Sequence, residues 1–196
     1  MSEAYRIVIA DDEALICMDL KEILEEAGHT VVGMASDGVE AVELVYAKRP
    51  DIVFLDVKMP RLDGIRAARM IHRNAAAPVI LLTAYSRKEV VEEAAGSGVY
   101  GYLVKPVNPD NLFPAMEVAA AQFKRQLAHE REVAELQDEI ETRKAVERAK
   151  GILMDTCSVS EAEAYKRLQQ YSMKKGIPLK NVALGLIKAT VHKNKK

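Results

Sequence analysis

Five short runs rich in Val, Ile and Leu punctuate the first 105 residues of this 196-residue chain, with longer amphipathic stretches between them. Runs this short and this apolar read as strands buried on both sides. The spacing predicts strands over Arg6 to Ala10, Thr30 to Ala35, Ile52 to Asp56, Val79 to Thr83 and Gly101 to Val104. Between them it predicts helices over Glu13 to Ala27, Val39 to Ala47, Ile65 to Arg73 and Lys88 to Ala95, each closed by Gly, Pro or a polar turn. Such alternation belongs to an α/β domain, a parallel sheet covered by helices on both faces. The functional groups of such a sheet sit in the loops at the carboxyl ends of the strands.

Those ends carry an unusual set of residues. Asp11 and Asp12 follow the first strand and Asp56 ends the third, while Thr83 and Lys105 stand at the ends of the fourth and fifth. Two unit charges 4 Å apart at an effective dielectric near 20 interact by roughly 4 kcal/mol, so three clustered carboxylates call for a counter-ion or a proton. A hard divalent cation answers that need, and Mg²⁺ suits a site that leaves positions for water and phosphate oxygen. An aspartate becomes an effective nucleophile once the charge building on a transferred phosphoryl group is neutralised, which the metal, the Thr83 hydroxyl and the Lys105 ammonium supply together. Singly, paired aspartates often cap helices and a lysine often just meets solvent. At the ends of four strands of one sheet they form a constellation.

The texture changes from Asn108 onward. Asn108 and Pro109 make a helix start, and after Pro114 no Pro occurs until Pro178 and no Gly until Gly151, which predicts one long helix from about Asp110 to about Met154. Phe123, Leu127, Val133, Leu136 and Ile140 form an imperfect apolar stripe, interrupted at Glu130, that favours a two-chain coiled coil over an isolated linker. Ser160 and Glu163 form a capping box for a second helix, and Gly176 separates it from a third that begins near Pro178 and aligns Leu179, Val182, Ala183, Leu186, Ile187 and Thr190. A small three-helix domain should therefore close the chain. Residues 142–196 hold thirteen Lys or Arg against four Asp or Glu, a net +9, which leaves −10 for residues 1–141 of a chain whose total is −1. A basic tail of this kind points to a polyanion, although a solvated lysine-rich helix surface looks similar.

Other classes fit poorly. No window is long and apolar enough to span a membrane and the start lacks a signal-peptide core, so a cytoplasmic location is expected. Cys17 and Cys157 are far apart in apolar surroundings and offer no zinc or redox pair, so two reduced, buried thiols are expected.

ADDE at 10–13, FLDVKMPRLDG at 54–64, LLTA at 81–84 and GYLVKP at 101–106 resemble the receiver domains of two-component response regulators over about residues 5–122. That resemblance implies a flavodoxin-like (βα)5 fold with Asp56 as phosphoacceptor and a sensor histidine kinase as donor. Mg²⁺ would be held by Asp11, Asp12, Asp56 and the main-chain carbonyl of Lys58. Thr83 would swing toward the phosphoryl group, Tyr102 would rotate inward behind it, Lys105 would pair with the phosphate, and the Lys105–Pro106 bond would be cis. The chain would not be an enzyme beyond slow self-dephosphorylation. Phosphorylation adds close to two negative charges at Asp56. Two-position side chains would pass that change to the surface of the fourth helix, the fifth strand and the helix after it, and so into the coiled coil.

The segments ETRKAVERAKGILM, SEAEAYKRLQQYSMKKG and PLKNVALGLI resemble the ANTAR output domain of transcription antiterminators. The implied function is a dimer that binds paired RNA stem-loops with hexaloops and stops a terminator hairpin from forming. The expected division is a receiver at 1–122, a coiled-coil linker at 123–141 and a three-helix RNA-binding domain at 142–196. Arg143, Lys144, Arg148, Lys150, Lys166, Arg167, Lys174 and Lys175 are the candidate phosphate contacts. Gly151 inside a helix suggests close approach of a nucleotide or, equally, of a neighbouring helix. Tyr165 and Tyr171 are candidates for stacking on loop bases, with a core role favoured for Tyr165, while Ile152, Leu153, Leu168 and Leu186 read as core. A DNA-binding regulator is the principal rival and an output that binds only protein is another, but no short turn presents a recognition helix.

Overall fold

Alternate residues of a strand face opposite ways, and here both faces of the sheet are apolar, which requires cover on both sides. The computed structural model describes residues 4–74, 76–84 and 97–193, with side chains through residue 190. Strands β1 (Arg6–Ala10), β2 (Thr30–Ala35), β3 (Ile52–Asp56), β4 (Val79–Thr83) and β5 (Gly101–Val104) form one parallel sheet in the order β2-β1-β3-β4-β5. The expected flavodoxin-like architecture is thus present. The helix expected over Lys88 to Ala95 lies outside the described residues.

Val8, Ala10, Val53, Leu55, Val79 and Leu81 meet α2 (Gly38–Lys48) and α3 (Gly64–Arg73) on one face. Ile7, Ile9, Ile52, Phe54, Ile80 and Leu82 meet α1 (Ala14–Glu26) and the first turns of α4 (Pro109–Cys157) on the other. A one-residue slip in any strand would exchange its contributions to the two cores, and each buried Ile, Leu or Phe stabilises by about 1.5–3 kcal/mol, so the register is firmly held. Chain winding reverses beside β1, which lies between β2 and β3, and the crevice at that reversal opens at the carboxyl ends of β1 and β3. Asp11 and Asp56 therefore face one another across a crevice that the topology creates.

Short polar caps start several of the helices, although the Glu13 side chain makes no such bond at the start of α1. The Asp37 carboxylate accepts from the amides of Val39 (2.8 Å) and Glu40 (3.0 Å), and Asp63 accepts from Arg66 N (2.8 Å). Asn108 Oδ1 accepts from Asp110 N at 3.0 Å at the start of α4, which continues for 49 residues.

The chain divides into two compact units, Met1–Ala128 and His129–Lys196. In the second, the end of α4 joins α5 (Glu161–Lys175) and α6 (Leu179–Lys193) around Ala145, Val146, Ala149, Leu168, Val182 and Ala183. Ser160 Oγ accepts from Glu163 N (3.3 Å), but the Glu163 carboxylate pairs with Arg167 (3.2 Å) instead of reaching back to close the capping box. Gly176 ends α5 at φ 65°, where a Cβ would be strained. Lys180 Nζ joins α6 to α4 through Asp138 (2.6 Å) and Glu141 (2.8 Å).

Three expectations about burial are corrected. Cys17 is buried, but Cys157 is exposed because it ends α4, beyond the stretch that packs through Ala145, Val146 and Ala149. Tyr165 is exposed on α5, since the small Ala164 and Leu168 take the inward positions. Ile152 is only half-buried, one residue off the face that buries Ala149.

His29 fixes part of the edge of the first unit. Its Nδ1 accepts from Tyr5 N at 3.2 Å and its ring stacks on Tyr5 at 5.5 Å. Burial holds its pKa below the ordinary 6.5, only partly offset by Glu117. The unfolded chain then binds more protons near that value, so stability is full above 6.5 and is lost as pH falls through it toward the folded pKa. Urea midpoints at pH 7.5 and about 5.5 should fall further for wild type than for His29→Gln; equal losses would remove His29 from the account.

Candidate functional site

The site is built from residues that end adjacent strands. Asp11 lies just past β1, Asp56 ends β3, Thr83 ends β4 and Lys105 lies just past β5. The amide of Lys105 donates to Thr83 O (2.8 Å), which extends the β4 to β5 pairing by one residue and brings the lysine over the crevice. Its Nζ lies 2.6 Å from Asp11 Oδ2 and 2.6 Å from Asp56 Oδ1. Lys58 N donates to Asp56 Oδ2 at 2.6 Å, and Glu13 N donates to Asp11 Oδ1 at 3.1 Å. Both carboxylates are thereby oriented by backbone amides and bridged by one ammonium.

Electrostatics follow from the burial. Asp11, Asp56 and Thr83 are buried, whereas Asp12 is exposed at the rim of a cavity of about 230 Å³ that Asp56, Lys58, Thr83 and Lys105 also line. Burial raises the Asp56 carboxyl above its usual range; Lys105 opposes this and the Asp11 charge adds to it. Burial pulls Lys105 down, but its pairing with Asp11 and Asp56 outweighs that and the net direction is upward. Nearby Cys17 is pushed up to about 11 by burial and then by Asp11, so it stays a thiol.

Three carboxylates against one ammonium leave the crevice short of positive charge. Asp11 Oδ2 is buried, and apart from its ion pair with Lys105 it has no partner among the described residues. No group of three or more His, Cys, Asp or Glu side chains is placed to hold a metal ion among the described residues, so any cation here would also need water or main-chain oxygen. Open oxygen donors with a charge deficit fit a hard cation that keeps water and takes a phosphate oxygen.

The loop after β3 is held in place at several points. A Cβ on Gly64 would lie 2.0 Å from Asp56 O, so only glycine lets α3 begin this close to Asp56. Arg61, at φ 61°, pairs with Asp37 at the start of α2. Arg61 and Asp37 lie outside the residues expected at the site; the Ser-Asp-Gly start of α2 is the signal in the sequence that points to Asp37. Tyr102 stands outward and exposed on β5, and the Lys105–Pro106 bond is cis.

In the second unit Arg143, Lys144, Arg148, Lys166, Lys174 and Lys175 are exposed. Lys144 and Arg148 share one face of α4, four residues apart. Lys150 is not available in the same way: it is buried, with its ammonium 2.7 Å from Glu147 and 2.6 Å from Glu161. Arg167 is exposed but paired with Glu163. A Cβ on Gly151 would meet nothing within 4 Å, so tight packing against another helix of this chain does not explain that glycine.

The profile of the response regulator receiver domain matches residues 7–117, and that of the ANTAR domain matches residues 134–187. The chain is a response regulator with an ANTAR output domain. This regulator is 48% identical over 178 residues to the transcriptional regulatory protein PdtaR of Mycobacterium tuberculosis, covering 91% of its own length and 87% of that protein. It is 38% identical to the chemotaxis protein CheY of Thermotoga maritima over 112 residues, 57% of the regulator and 93% of CheY. Among solved structures, the receiver domain of the putative response regulator NarL from Mycobacterium tuberculosis superposes with a TM-score of 0.58 at 31% identity, covering 61% of the regulator and 98% of that chain. No helix among the described residues is long and apolar enough to cross a membrane.

Proposed function

We propose that this cytoplasmic regulator takes a phosphoryl group from a sensor histidine kinase onto Asp56, and that the modification controls a dimer whose output domains bind paired hexaloop RNA stem-loops. Binding there keeps a terminator hairpin from forming. The reading assigns residues 1–122 to the receiver, 123–141 to a coiled-coil linker and 142–196 to RNA. The observation that carries it is the Lys105-bridged pair of buried carboxylates, joined in one chain to an ANTAR unit with a net-positive surface.

Asp11, Asp12, Asp56 and the Lys58 carbonyl would hold Mg²⁺, which neutralises phosphate oxygens when bound. The chain's own residues do the rest. Asp56 Oδ1 leaves Lys105 to attack phosphorus as the P–N bond to the kinase's phosphohistidine breaks and the imidazole departs, and the Lys105 ammonium then pairs with a phosphoryl oxygen. Thr83 turns its hydroxyl to another oxygen, and Tyr102 follows into the space vacated. Exposed Val133, Leu136 and Ile140 on α4 form the seam with a second copy.

Gel shifts with an RNA carrying two hexaloops and with duplex DNA of equal length test the output. Tight RNA binding that weakens steeply with salt is expected, from contacts by Arg143, Lys144, Arg148, Lys166, Lys174 and Lys175. Preference for duplex DNA, or indifference to both, would defeat the proposal.

A further inference from the structure

A groove opens between α5 and α6, lined by none of the residues of the acidic site. Its volume is about 490 Å³, with an apolar floor that includes Leu168 and Val182 and a rim formed by Arg167, Tyr171 and Asn181. Gly185 lines it from the middle of α6, and a Cβ there would meet nothing within 4 Å. Glycine is the poorest helix former after proline, and no packing contact at this position requires it. Its effect is to leave the wall of the groove bare, as expected where something other than this chain fills the space.

The lining indicates what that occupant is. Tyr171 presents an exposed ring, Arg167 a planar guanidinium held by Glu163 at 3.2 Å, and Asn181 a carboxamide that both donates and accepts. A flat aromatic body with a mixed donor and acceptor edge matches that combination, and unpaired RNA bases are recognised by stacking on aromatic or Arg planes with hydrogen bonds to the edge. Charge excludes a second copy as the better partner. Lys174 and Lys175, one turn beyond Tyr171 on α5, stand exposed beside the groove, so two such faces repel, while a phosphate backbone is drawn to them.

We propose that this groove receives one unpaired base of the RNA loop, stacked on Tyr171 and read at its edge by Asn181. The inference rests on the RNA reading above and adds to it the pocket and the part of the RNA it takes.

The test uses the full chain and the RNA with two hexaloops, plus RNAs in which each loop base in turn is replaced by an abasic residue. Wild type should lose about tenfold in affinity at one abasic position. Gly185→Leu, which fills the groove from a position with room for a side chain, should lose as much on the intact RNA and no more on that abasic RNA. Asn181→Ala, at an exposed position, should lose less than Gly185→Leu and be blunted by the same abasic substitution; it decides alone if Gly185→Leu melts at a lower temperature. Wild-type affinity in both variants, or insensitivity to every abasic position, would overturn the inference. So would a change of oligomeric state in Gly185→Leu with RNA affinity intact, which assigns the groove to a second copy. Failure of wild type to prefer the hexaloop RNA over duplex DNA is a different result and defeats the RNA reading itself.

Discussion

Asp56→Asn is expected to abolish labelling by a small-molecule phosphodonor in the presence of Mg²⁺, under conditions that label wild type stoichiometrically. An amide oxygen can still face Lys105, which lies 2.6 Å from Asp56 Oδ1, but it lacks the charge and nucleophilicity that phosphoryl transfer requires. The substitution should not act by unfolding. Burial holds the Asp56 carboxyl above its usual range, so the folded chain binds this proton more tightly than the unfolded one does. Ionisation of Asp56 therefore lowers stability as pH rises through that range. Without metal at neutral pH, Asp56→Asn should melt at the same temperature as wild type or higher. Residual label on the variant would move the acceptor elsewhere, and a large drop in melting temperature would make the loss of label uninformative about chemistry and contradict the assigned electrostatics.

Replacing Leu136 and Ile140 together by Asp is expected to leave the regulator monomeric in sedimentation, whatever its phosphorylation state. Both side chains are exposed on α4, and an apolar stripe on a long helix is stabilised by meeting another like it. The consequence for RNA is larger than any single contact. Two linked output domains on two adjacent stem-loops gain by effective concentration, on the order of 10²–10⁴-fold in affinity. The double variant should lose about that much on an RNA with two hexaloops and much less on one stem-loop alone. A variant that still forms dimers, or that binds both RNAs as wild type does, would place the association elsewhere.

The two halves of the molecule differ in how much their residues reveal before folding. The central strands of the receiver were legible because burial on two faces leaves continuous apolar runs, as in Ile52–Leu55 and Val79–Leu82, with the polar Asp56 and Thr83 only at their carboxyl ends. Helix ends were legible to within a residue or two from Ser160, Gly176 and Asn108, since capping is a local matter. In the acidic site, the placement of Asp11, Asp56 and Lys105 at strand ends was readable from the apolar runs before them. The bridging of the two carboxylates by one ammonium was not. Lys150 looked like its neighbours Arg148 and Lys144, yet it is drawn into contact with Glu161, eleven residues on.

The chain's order of residues alone settled periodicity, capping and charge balance, because those depend on near neighbours: the α/β pattern, the long helix, the basic tail. Only the folded molecule decided which of those groups meet. Strand order placed β1 beside β3 and so set Asp11 against Asp56, and the packing of α5 and α6 opened the groove at Gly185. Contacts between residues distant in sequence depend on how whole elements stack, and that choice is made by the core rather than by any local stretch.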